Sequence, residues 1–202
     1  MIKNIILDVG KVILDFKPML PCLRIAENEE DANILFEAIF NSENWGKKID
    51  AGLISEDDYL KECIARLPDE RLINACTQVL EQWHLDALFP MRGVEEFIKQ
   101  LLDYGYNLYI LSNFGERFYQ STYKIPYYNS FSGRVVSFED KVVKPDPTIY
   151  ANLLSRYNLN PVECFFVDDL QDNINIAQTF GIMGHCFLDG DFKRLKARLG
   201  LK

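Results

Sequence analysis

Four places in this chain put polar side chains directly beside short apolar runs. Asp8 follows Ile5-Ile6-Leu7, Ser112 and Asn113 follow the run 108–111, and Asp168-Asp169 follow the run 164–167. Lys144 sits in Val142-Val143-Lys144-Pro145-Asp146-Pro147. A carboxylate at a strand end is placed to attack an electrophile and form a covalent intermediate. Read alone, Asp8 is as well suited to capping a turn, and Ser112 and Asn113 share that ambiguity. Adjacent carboxylates such as Asp168-Asp169 repel each other unless a cation or proton compensates them. Together with Asp8 they make an oxygen-only donor set, which suits a hard cation such as Mg²⁺. That cation would screen an anionic nucleophile from an anionic substrate. The prolines around Lys144 restrict where its ammonium can point. An ammonium so held can stabilise charge developing in a transition state.

These residues need a common frame, and the pattern between them supplies one. The runs 5–7, 108–111 and 164–167 have the length of strands buried on both faces, and 182–188 reads as a fourth. Helical patterns cover 94–104, 146–157 and 171–180, with Pro147 opening the second and Gly105 and Gly181 closing the others. Strands alternating with helices predict a parallel α/β sheet with right-handed crossovers, a Rossmann-like core. Ligands bind such sheets at the carboxyl ends of the strands, where Asp8, Ser112 and Asp168-Asp169 all fall. The stretch from Phe16 to Trp83 shows no strand pattern, and 31–41, 55–66 and 69–83 read as amphipathic helices. Ser55 followed by Asp58 has the spacing of a capping box. The expected organisation is therefore a core of 1–15 and 86–202 with a helical cap, 16–85, inserted after the first strand.

Composition removes several function classes. The formal net charge of -8, with no cluster of Lys and Arg, argues against nucleic acid as a partner. No apolar run approaches the ~20 residues of a membrane helix, so no membrane partner and a cytoplasmic location are expected. Five cysteines, odd in number and widely spaced, suit reduced thiols. With only His84 and His185, a histidine-rich metal site is excluded. The 14 Phe and 10 Tyr could supply a homodimer interface.

The four elements, in order, resemble the haloacid dehalogenase superfamily of phosphohydrolases. Its first motif is similar to Asp8-Val9-Gly10-Lys11-Val12, its second to the Ser of Leu111-Ser112-Asn113 and its third to the Lys of Val143-Lys144-Pro145-Asp146-Pro147. Its fourth is similar to Phe166-Val167-Asp168-Asp169, followed by Asn173. The resemblance implies a Mg²⁺-dependent phosphatase acting on a small phosphorylated metabolite. It makes Asp8 the nucleophile and a metal ligand, and gives the Gly10 carbonyl to the metal and to substrate binding. Ser112, with the amide of Asn113, holds the transferring phosphoryl group, and Lys144 neutralises the charge of Asp8 and the phosphoryl group. Asp169 ligates the metal, with Asp168 beside it, while Asn173 orients the site.

One departure matters. Most phosphatases that share these motifs carry a second Asp two residues after the nucleophile, as general acid and base; here that position is Gly10. Relatives with Gly there include enzymes similar to sugar-1-phosphate phosphatases, whose leaving group needs less acid. The expectation is thus a preference for easily leaving alcohols, with Lys11 or a lid residue as substitute donors. The segment 45–55 corresponds to a turn that dips toward the active site, so Lys47 or Lys48 could meet the substrate. Two other readings stay open: a 2-haloacid dehalogenase, which needs no metal, and a binding or regulatory protein that has lost its chemistry.

Overall fold

A computed structural model describes residues 1–41 and 44–201. The chain runs β1 (Asn4–Leu7), β2 (Leu14–Phe16), α1 (Met19–Ile25), α2 (Glu29–Ile39), α3 (Glu56–Ile64), α4 (Glu70–Asp86) and β3 (Leu88–Pro90). It continues with α5 (Val94–Asp103), β4 (Asn107–Ser112), α6 (Phe118–Ser121), β5 (Gly133–Val136), α7 (Ser137–Asp140) and α8 (Pro147–Arg156). It ends with β6 (Cys164–Asp168), α9 (Gln171–Thr179), β7 (Met183–Cys186) and α10 (Phe192–Leu199).

Five strands form one parallel sheet in the order β5-β4-β1-β6-β7. β1 is central and buried along its length, which is why its residues are uniformly apolar after Asn4. Successive side chains alternate between two apolar layers. Ile5 and Leu7 join Leu108, Ile110, Phe165 and Val167 on the face covered by α5 and α10. Ile6 joins Tyr109, Leu111 and Phe166 on the face covered by α8 and α9. The expected Rossmann-like core is present, and α5, α8 and α9 bury the apolar stripes their sequence patterns announced.

The helical insertion has its own apolar cluster, built from Cys22, Leu35, Tyr59, Leu72, Cys76 and Val79 among others. The chain leaves the sheet through β2 and returns through β3, which pair antiparallel with Leu14 opposite Pro90. Ser55 caps α3 by accepting from the Asp58 amide at 3.1 Å, as its spacing predicts. Two features were not predicted. Helix α1 carries Pro21, yet the proline lies in the first turn, where a backbone N–H has no helical partner to lose. A single π-helical turn, Trp45–Ile49, precedes Asp50.

That turn docks on the core. A Cβ built on Gly115 would lie 3.1 Å from Ile49 Cγ2 and 3.2 Å from its carbonyl oxygen, so only glycine lets the two backbones approach so closely. Ser137 Oγ donates to the Asp50 carbonyl and accepts from the Phe114 amide at 2.9 Å. Lys141 Nζ donates to the Gly52 carbonyl at 2.6 Å, and Arg117 Nη2 pairs with Glu56 Oε2 at 2.6 Å. Gly115→Ala should therefore push the π turn away from the core and destabilise the protein by about 1–3 kcal/mol, an overpacking cost. Urea denaturation measures it, and an unchanged midpoint would mean that the docking is slack.

Candidate active site

Strand register brings the acidic residues together. Leu7 is in register with Val167, and the Asp8 amide donates to the Val167 carbonyl at 3.0 Å, so Asp8 and Asp168 emerge side by side. Leu7 is also in register with Ile110, which places Ser112 just beyond Asp8 at the same edge. Neighbouring strands lie about 4.8 Å apart, so two carboxylates in such positions repel strongly unless a cation stands between them.

Lys144 is that cation. Its Nζ lies 3.0 Å from Asp8 Oδ1 and 2.6 Å from Asp168 Oδ2, and it donates to the Leu111 carbonyl at 2.9 Å. The lysine side chain is 1% exposed and that of Asp168 0%. Asn113 clamps the lysine's backbone from both sides. Its Oδ1 accepts from the Lys144 amide at 2.7 Å, and its Nδ2 donates to the Lys144 carbonyl at 3.0 Å. The Asn113 side chain thus positions Lys144. Asp168 is held just as firmly, accepting from Asn173 Nδ2 at 2.8 Å and from the Leu170 amide at 2.9 Å.

Burial pushes the Asp8 carboxyl up to about 7, with Lys144 opposing the shift and the charge of Asp168 adding to it. Burial also works against the charge of Lys144, but Asp168 and Asp8 outweigh it and hold the ammonium above its ordinary range. The Asp169 carboxyl is raised by burial and by Asp168, while Lys11, 3.9 Å away, works in the other direction.

Asp8, Asp168 and Asp169 offer oxygens that all lie within 4.8 Å of one another. One buried lysine and one exposed lysine leave this group in anionic surplus, and every donor is a hard oxygen. The set therefore fits a Mg²⁺ ion. Ser112 Oγ, 1% exposed as a residue, sits beside Asp8 and favours its charged form, yet completes no hydrogen bond of ordinary geometry. A buried hydroxyl in that condition is available to a ligand.

A cavity of about 90 Å³ adjoins the cluster. Its floor includes Val9, Gly10 and Asn113, and its walls Phe16, Trp45, Trp83, Leu88 and Phe114. Asp50 also lines it. Burial, followed by the charge of Asp8, holds the Asp50 carboxyl up to about 7, while a hydrogen bond from the Gly115 amide pulls it down. Asp50 escaped the sequence reading because a single Asp between Ile49 and Ala51 carries no pattern. Only the expectation that 45–55 dips inward pointed to it. Lys47 is exposed and is absent from the cavity lining, while Lys48 pairs with Glu62 at 3.1 Å. The segment thus presents Trp45 and Asp50 to the cavity instead of its lysines.

A model of the haloacid dehalogenase-like hydrolases matches residues 2–181. The chain belongs to that family. Among relatives of this hydrolase is the sesquiterpene phosphatase astK of Aspergillus oryzae, 23% identical over 188 residues, covering 90% of this chain and 88% of the relative. The fold is shared with the HAD family enzyme bt-2542 of Bacteroides thetaiotaomicron, solved as an aspartate-to-alanine variant with magnesium and inorganic phosphate. That match has a TM-score of 0.72 at 23% identity over 96% of this chain and 99% of the other. The L-2-haloacid dehalogenase of Xanthobacter autotrophicus aligns with a TM-score of 0.64 at 19% identity over 91% and 76% of the two chains. No helix among the described residues of this hydrolase is long and apolar enough to cross a membrane.

Removing the lysine exposes the repulsion it suppresses. Lys144→Ala should cost about 3–5 kcal/mol, the penalty for stranding buried charge. Asp168→Asn added to Lys144→Ala should restore part of it, because one of the stranded carboxylates is gone. Urea midpoints measured in chelator decide the matter, and strictly additive losses would contradict the shared ion pair.

Proposed function

We propose that this hydrolase is a Mg²⁺-dependent phosphatase that cleaves a small phosphomonoester through an aspartyl-phosphate on Asp8. One observation supports this most: three carboxylates cluster together, two of them on a single buried lysine, beside an unpartnered buried hydroxyl. Carbon–halogen cleavage has no use for such an anionic surplus, whereas a phosphate ester brought in with a divalent cation compensates it.

In this reading Asp8, Asp169 and the Gly10 carbonyl hold the ion, and Asp168 reaches it only through Lys144, since its oxygens are engaged elsewhere. Bound there, the cation would neutralise phosphoryl oxygens and polarise the phosphorus. Ser112 orients the phosphoryl group by hydrogen bonding. Lys144 steadies the charge that passes from Asp8 to phosphate as the covalent bond forms. The helical segment 16–85 acts as the lid over the core formed by 1–15 and 86–202. The alcohol half of the substrate enters the cavity between them. Phe16, Trp45, Trp83, Leu88 and Phe114 favour an alcohol with an apolar face over a bare sugar. That preference accords with a relative named as a sesquiterpene phosphatase.

The nucleophile is tested by Asp8→Asn, which keeps the volume and removes the attacking charge. Turnover of a generic phosphomonoester should fall by at least about 10³-fold, the scale of losses when a covalent catalyst loses its nucleophile. Chelation should abolish activity and Mg²⁺ restore it. Full activity after exhaustive chelation, or from a folded Asp8→Asn protein, would contradict the proposal.

A further inference from the structure

Gly10 offers no carboxylic acid at the position two residues after Asp8, and both carboxyl groups that flank Asp8 belong to the cation-binding cluster. A Cβ built on Gly10 meets no atom within 4 Å, and its backbone is outside the left-handed region. Glycine is thus not required there by crowding or by strain. The unusual backbone belongs to Lys11, at φ 54°, whose ammonium is turned toward Asp169.

The opposite wall of the same cavity supplies a carboxyl. Among the described residues, Asp50 is the only titratable one that lines the space bounded by Gly10, Asn113 and the aromatic rings. It reaches that position because the π turn closes at Asp50, whose amide donates to the Trp45 carbonyl at 3.1 Å. The same backbone is tied to the core by Ser137 at the Asp50 carbonyl and by Lys141 at Gly52. The Gly115 amide donates to the carboxyl itself. Three separate core contacts therefore hold this carboxyl at the cavity wall.

In-line displacement puts the leaving oxygen on the side of phosphorus away from Asp8. The cavity that Gly10 and Asp50 both line offers that oxygen a place. We propose that Asp50 is the proton donor to the leaving alcohol, taking the place of the acid that Gly10 lacks. The inference rests on the phosphatase reading. In the first step Asp8 forms a bond to phosphorus, the bond from phosphorus to the ester oxygen breaks, and the Asp50 proton moves to that oxygen to give the free alcohol. In the second, water attacks phosphorus and gives a proton to the Asp50 carboxylate. The bond from Asp8 to phosphorus breaks, phosphate departs, and both carboxyl groups return to their starting states.

Leaving-group dependence separates this role from a structural one. Asp50→Asn keeps the shape of the side chain and removes the proton. Its rate of phosphoryl transfer should fall by about 10²–10⁴-fold on a primary alkyl phosphate. The loss should shrink progressively along a series of aryl phosphates as the phenol becomes more acidic, read from the pre-steady-state burst of phenol. Gly10→Asp introduced into Asp50→Asn should recover alkyl phosphate turnover, because the space beside Gly10 is open. Thermal unfolding verifies that each variant is folded, and the rescue in the double variant stands even where the single variant is less stable. An equal loss on all leaving groups, or no loss on any, would overturn the proposal. The parent protein tests the underlying reading separately. Absence of Mg²⁺-dependent turnover in the parent would remove both, whereas an active parent with a flat Asp50→Asn series would remove this inference alone.

Discussion

A lysine ammonium with almost no exposure, set between two carboxylates that the sheet register forces together, governs the architecture of this site. Asp8 and Asp168 stand side by side because β1 and β6 are parallel and in register at Leu7 and Val167. Two charges so placed cannot both persist in a low-dielectric setting without a partner. Lys144 satisfies both, and much of the surrounding structure keeps it there. Asn113 clamps its backbone, the Leu111 carbonyl takes one of its protons, and Asn173 with the Leu170 amide fixes Asp168. Among the described residues of this cluster, Ser112 Oγ is the buried side-chain polar atom left without a partner, and Asp169 is less buried than Asp8 and Asp168.

Charge and shape are divided between the two halves of the chain. The sheet edge supplies the carboxylates, the lysine and the hydroxyl, all at the ends of buried strands where backbone movement is small. The helical insertion supplies an aromatic wall and one carboxyl, on a turn that is short but pinned by Ser137, Lys141 and the Arg117–Glu56 pair. Such a split lets the charged half of the site stay constant while its apolar half varies.

Most of the core was legible because its signals are local. The runs at 5–7, 108–111 and 164–167 became β1, β4 and β6, and the proline and glycine punctuation around α8, α5 and α9 fell where expected. Elements without a strong period were not read. β5 is a four-residue edge strand opening on glycine, and α10 lies beyond the last motif, although Phe192 and Leu195 are both buried. At the site, the polar residues beside apolar runs did converge on one edge, but their bonding was not visible in order or spacing. The Asn113 clamp on Lys144 joins positions 31 residues apart, and Asp50 meets the core only through tertiary docking. Lys47 and Lys48 stand out in the sequence by their charge, but neither is among the residues that line the cavity.

The central claim is that Asp8 becomes covalently phosphorylated. An aspartyl-phosphate is an activated acyl group, so borohydride reduces it to an alcohol while free carboxylates survive. Protein quenched in acid during turnover, reduced, digested and mapped by mass spectrometry reports which side chain carried the phosphoryl group. The account predicts reduction at Asp8, and only when both a phosphomonoester and Mg²⁺ are present before the quench. Turnover with every aspartate intact, or reduction at Asp169 or Asp50 instead, would contradict it.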